Sequence, residues 1–133
     1  MLACGGQGGS IDRVISWGTI LYGAALTTIA VAATTWLIVR RPATALCGGL
    51  AAGAGALAWN AVLQSARGTG FFVDARIDLL PASWQDTVSG MAAIAATSLV
   101  LGLGPERRRP AREVASLSML AGVVAFAVDV YLY

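Results

Sequence analysis

The sequence contains no histidine and no lysine, and it has only two cysteines, Cys4 and Cys47. Without imidazole, bis-histidine haem ligation and histidine acid–base chemistry are excluded. Two thiols are too few for a thiolate metal centre. Charge is also scarce. Only 12% of the residues are Asp, Glu or Arg, against roughly 25% in an ordinary soluble domain. Residues 14–39, 42–66 and 87–105 carry no charge, and 114–133 carries only Asp129. With 57% hydrophobic residues and a mean hydropathy of +0.73, a soluble chain could not cover its surface with polar groups. A bilayer must be the solvent for much of it. No ionisable group falls at mid-membrane depth, which argues against proton-coupled transport. No serine, cysteine or other nucleophile has an evident base beside it. The expectation is no enzyme, no catalytic residue, no metal, no cofactor and no nucleic-acid partner.

What the sequence does contain is four hydrophobic runs, each long enough for a span of about 20 residues. They lack polar alternation and are rich in Ala and Leu, which favours helices over strands. The expected fold is all-α: an integral membrane four-helix bundle. An N-terminal tail, residues 1–13, precedes spans at about 14–39, 43–65, 86–105 and 113–133. Arginine sets the direction. Arg40 and Arg41 lie between the first two spans, and Arg107, Arg108, Arg109 and Arg112 between the last two. These turns share one side and hold six of the nine arginines, so they are expected inside the cell membrane, with both termini outside. All five aspartates then lie outside, and Glu106 and Glu113 lie inside beside the arginines. Cys4 and Cys47 fall on opposite sides and should not pair within a chain. Leu2-Ala3-Cys4-Gly5 resembles the processed end of a bacterial lipoprotein, but no hydrophobic leader precedes it.

Several short patterns recur at a nearly constant interval. Ser16-Trp17 returns as Ser83-Trp84, Arg40-Arg41-Pro42-Ala43 as Arg108-Arg109-Pro110-Ala111, and Trp59-Asn60 is matched by Val128-Asp129. The offsets are 67, 68 and 69 residues. Selection for Arg and Pro at inner turns would produce part of this pattern. A duplication would produce all of it, giving two tandem helical hairpins related as parallel repeats about an axis along the membrane normal.

Lipid supplies no hydrophobic drive between helices, so close packing must hold the bundle together. Gly48, Gly49, Ala52, Gly53 and Gly55 form a small-residue cluster in the second span. Gly49 and Gly53, four residues apart, are expected to meet another helix at short distance, with the second span central. In the loop 65–85, Phe72, Val73, Ile77 and Leu80 share a helical face, which predicts a short interfacial helix ended by Pro81. Asp74 and Asp78 project together there, and pairing with Arg76 or Arg67 is favoured over a metal. Trp17, Trp59 and Trp84 are expected as anchors at the outer interface and Trp36 at the inner one.

Asp129 is the sharpest candidate for function, because charge within a span is costly. Its position near the chain end also allows it simply to reach outer water. Asn60 and Gln64 lie at similar depth one helical turn apart, and with Asp129 they form a candidate polar cluster opening outward. The expected partners are the bilayer and other membrane subunits or a second copy of the chain. The sequence favours an accessory or scaffold subunit acting by helix packing. The alternative is a small oligomeric channel or carrier for a neutral or weakly polar solute.

Overall fold

The computed structural model describes residues 16–66 and 83–132. These residues form four helices: α1 (Trp17–Val39), α2 (Pro42–Ala66), α3 (Trp84–Leu103) and α4 (Ala111–Leu132). All four are long and apolar enough to cross a membrane, as a small polytopic membrane protein requires. The N-terminal tail, the expected interfacial helix and Tyr133 lie outside the described residues.

Local chemistry sets the helix ends. Ser16 caps α1, its hydroxyl accepting the Thr19 N–H at 3.2 Å. Ser83 caps α3 in a reciprocal box. Its hydroxyl accepts the Asp86 N–H at 3.3 Å, and Asp86 Oδ2 accepts the Ser83 N–H at 2.7 Å. Such boxes satisfy donors that a helix start leaves orphaned. This one opens the third helix at residue 84, two residues before the expected start of about 86, and places Asp86 in its first turn. At the other end of α1, Arg40 takes the left-handed conformation (φ 56°) and its N–H bonds the Trp36 carbonyl at 2.8 Å. Its guanidinium lies 5.5 Å from the centre of the Trp36 ring. Pro42 then starts α2, where a missing N–H has no consequence. Between α3 and α4 the turn closes through the Glu106 N–H and the Leu101 carbonyl, 3.0 Å apart. Glycine is required at 104, since a Cβ there would meet the Val100 carbonyl oxygen at 2.5 Å.

Helix α2 packs against all three others, and α4 likewise touches α1, α2 and α3. The bundle is therefore a ring with α2 and α4 across its short diagonal. Small side chains bring the backbones together. A Cβ on Gly49 would lie 2.6 Å from the Thr28 carbonyl oxygen of α1, and one on Gly53 would lie 2.9 Å from that of Ala24. Gly55 faces α3 in the same way, 2.6 Å from the Ala92 carbonyl. Across the α3–α4 contact, a Cβ on Gly122 would lie 3.0 Å from the Gly90 carbonyl oxygen and collide with the Ile94 side chain. The mid-bundle core is correspondingly slim: Val31, Ala52, Ala93, Ala121 and Ala125. The large apolar side chains point the other way. Leu21, Ile29, Leu37, Leu50, Leu99 and Val123 are all exposed, which suits a surface covered by lipid.

Part of the burial pattern recurs between the two hairpins. The buried positions Ile20, Gly23, Thr27, Val31 and Thr35 of α1 are matched on α3 by Asp86, Ser89, Ala93, Thr97 and Leu101, each 66 residues on, while α3 also buries Gln85 and Gly90. On α2 the run Gly48, Gly49, Ala52, Gly53, Ala56, Asn60 corresponds to Leu117, Ser118, Ala121, Gly122, Ala125, Asp129 on α4.

A candidate polar site at the aspartate end

The bundle has an end that carries the arginine-rich turns and an opposite, aspartate end. At the aspartate end a group of polar side chains is withdrawn from the surface. Asn60 comes from α2, Gln85, Asp86 and Ser89 from the first turns of α3, and Asp129 from the last turn of α4; all five are buried. At 1.5 Å per residue, Ser89 lies about 7.5 Å inside its helix end and Asp129 about 4.5 Å inside its own.

Some of these groups are satisfied. Gln85 Nε2 donates to Asn60 Oδ1 at 3.1 Å, and Asn60 Nδ2 donates to the Ala56 carbonyl at 2.9 Å. Asp86 Oδ2 accepts both the N–H and the hydroxyl of Ser83, at 2.7 and 2.9 Å. Others are not. Ser89 and Asp86 flank the Asp129 carboxyl, the Ser89 hydroxyl near enough to donate to it, though Asp129 Oδ2, Ser89 Oγ and Gln85 Oε1 form no hydrogen bond of good geometry. Asp129 is 2% exposed, so its carboxyl does not simply reach water. Among the described residues neither Asp86 nor Asp129 has an arginine partner, since the ion pairs found there all belong to Arg109. A buried oxygen without a donor costs on the order of 1–3 kcal/mol, and more when it is charged. Three such oxygens, from two helices, lie at this end of the bundle.

The sequence singled out Asn60, Gln64 and Asp129. The structure buries Asn60 and Asp129 at the same end, each against α3, while Gln64 lies a turn further out and is half-buried. Gln85, Asp86 and Ser89 were missed. A signal for them was present: Ser83 and Asp86 have the spacing of a capping box, which fixes the helix start and puts Gln85 and Ser89 on one face. Of the expected anchors, Trp17 and Trp84 are the first residues of α1 and α3 and lie exposed at the aspartate end. Trp36 is exposed in the last turn of α1 at the arginine end, and Trp59 is half-buried near the far end of α2.

Deeper in the bundle, the hydroxyls of Thr27 and Thr97 are buried and unpaired, while Ser118 returns its proton to the Val114 carbonyl at 2.9 Å. At the arginine end the polar groups close on one another. Glu106, also 2% exposed, accepts the Thr44 hydroxyl from α2 and pairs with Arg109, whose Nη1 reaches Glu113 at 2.8 Å. Among the described residues, no three Asp, Glu, Cys or His side chains gather into a metal site. The aspartate-end group is instead two carboxylates and neutral oxygens, one carboxylate being engaged by Ser83. That set consists of hard oxygen donors, which suits a small hard cation better than a transition metal. No known protein family, curated protein or solved structure matches this chain.

Proposed function

We propose that this protein is a small membrane carrier or oligomeric channel for a small cation, and that Gln85, Ser89 and Asp129 form the site that takes the cation up. The observation that carries this reading is the buried carboxylate of Asp129, which among the described residues has no arginine partner and keeps an oxygen outside good hydrogen-bonding geometry next to Ser89. A cation supplies the missing partner. The two buried acids favour a positive solute over the neutral one that the sequence suggested. The repeated burial pattern adds support. Asn60 and Asp129 occupy corresponding positions of the two hairpins, and transporters built from repeats place their sites where the repeats meet. The unpaired hydroxyls of Thr27 and Thr97 offer oxygens further along the interior.

The other reading, an accessory subunit acting through glycine-lined faces, loses its specific support. Gly49, Gly53, Gly55, Gly90 and Gly122 are all engaged with helices of the same chain. The orientation belongs to the same proposal: the aspartate end outside and the arginine turns inside, by the arginine distribution. With Cys4 and Cys47 replaced by serine, a membrane-impermeant thiol reagent should label Arg76→Cys and spare Arg108→Cys in intact cells.

Reconstitution tests the function. Proteoliposomes should accumulate one of sodium, potassium or protons down an imposed gradient, and Asp129→Asn should reduce that flux at least about tenfold while the protein stays folded. The reading fails if the wild-type chain passes none of these ions, or if Asp129→Asn passes them at the wild-type rate.

A further inference from the structure

At the arginine end a groove of about 520 Å³ runs between α1 and α4, within the roughly 300–1,000 Å³ of small-ligand sites. Its chemistry changes with depth. Ile38 and Val39 of α1 and Leu117 of α4 form apolar walls, while Arg109, Arg112 and the carboxylate of Glu113, which Arg109 neutralises, line it nearer the helix end. Arg112 is the second residue of α4, so Leu117 lies about 7.5 Å further along the axis. The two arginines are not equivalent. Arg109 is committed to Glu106 and Glu113. Arg112 is exposed and has no carboxylate partner among the described residues. The Ser116 hydroxyl, also in the groove, is turned back to the Arg112 carbonyl at 2.8 Å, so the guanidinium is the uncommitted polar group there. Arg107 and Arg108, both exposed on the adjoining turn, raise the local positive charge.

We infer that this groove seats one anionic phospholipid, its phosphate on Arg112 and the first part of an acyl chain along Ile38, Val39 and Leu117. Charge complementarity selects an anion, since guanidinium pairs with phosphate through parallel N–H donors. The apolar wall selects a lipid over a free phosphate, which would leave that wall unused. Basic pockets between membrane helices are established sites for acidic headgroups. The lipid would close the seam between the first and last helices. This inference stands on the groove and is independent of the site at the opposite end.

The test uses the full chain purified in a neutral detergent. Phosphatidylglycerol, phosphatidylcholine and glycerol phosphate are each titrated, with thermal unfolding and native mass spectrometry as readouts. Phosphatidylglycerol should be retained and raise the unfolding midpoint, while the other two should do neither. Arg112→Gln should weaken phosphatidylglycerol retention about fivefold, the size of one arginine–lipid contact. Arg108→Gln, outside the groove, should weaken it less than about twofold, since it lowers only the local charge. Ser116→Trp should block retention by filling the groove with every charge kept. The inference is overturned if phosphatidylcholine binds as well as phosphatidylglycerol, or if Arg108→Gln weakens binding as much as Arg112→Gln. It is overturned equally if glycerol phosphate reproduces the effect, which would make this a site for soluble anions, or if phosphatidylglycerol has no effect on the wild-type chain.

Discussion

Two carboxylates are buried to the same degree at opposite ends of one bundle, and their surroundings differ. Glu106 at the arginine end accepts the Thr44 hydroxyl and pairs with Arg109. Asp129 at the aspartate end keeps an oxygen with no partner. The first is neutralised by its own chain and ties α2 to the turn between α3 and α4. The second is left with a demand that the described chain does not meet. Burial alone therefore does not mark a functional carboxylate here. What separates the two is the inventory of donors around each, one arginine and one threonine against a capping box already in use.

The comparison can be broken most severely by preventing the helices from meeting at all. Gly53→Leu would drive a side chain into the Ala24 carbonyl and the Thr28 side chain of α1. It should abolish the folded monomer, seen as loss of a defined gel-filtration peak, because overpacking against backbone exceeds the roughly 1–3 kcal/mol tolerated in cores. Both polar ends should be lost together. A Leu99→Ala change on the exposed face should leave the peak intact.

The next test separates the ends. Glu106→Gln removes one partner of a buried pair, a change that costs about 3–5 kcal/mol when both charges are deeply buried. Arg109 is 29% exposed and keeps Glu113, so roughly 2 kcal/mol is expected here in a denaturant titration. Asp129→Asn should change stability by less than about 1 kcal/mol, or increase it, since it removes a charge that lacks a partner. Equal losses for the two variants would show that both carboxylates are structural.

Smaller effects sharpen the local picture. Ser83→Ala removes the hydroxyl half of the box and leaves the backbone N–H to Asp86 in place, and should cost about 1 kcal/mol. Ser16→Ala, at the corresponding cap of α1, should cost no more, because no reciprocal carboxylate stands there. Arg40→Gly should come close to neutral. Relief of the left-handed backbone, up to about 1 kcal/mol, offsets the lost contact with Trp36, about 0.5–1 kcal/mol. Thermal unfolding in detergent would resolve both.

Much of the architecture was legible without coordinates. Long uncharged runs leave a chain few options in a bilayer, where every backbone group must be satisfied within the segment. The spans could therefore be read off Arg13, Arg40, Arg41 and Arg67 to within a few residues. The expected third span, about 86–105, begins two residues inside the observed helix, whose start at Trp84 is set by the Ser83–Asp86 capping box. The site was legible only in part. Asn60 and Asp129 are conspicuous as polar residues in apolar runs, whereas Gln85 and Ser89 sit where the third helix begins and look like ordinary interfacial residues.

By itself, the sequence determined the number of helices, their approximate limits, their order and the small-residue faces on which they pack, because these follow from local composition and the thickness of lipid. Tertiary structure decided which helix each glycine meets, and that Glu106 finds an arginine while Asp129, among the described residues, does not. Those outcomes depend on which side chains from distant segments arrive within about 3 Å of one another. No periodicity along a single helix encodes that distance.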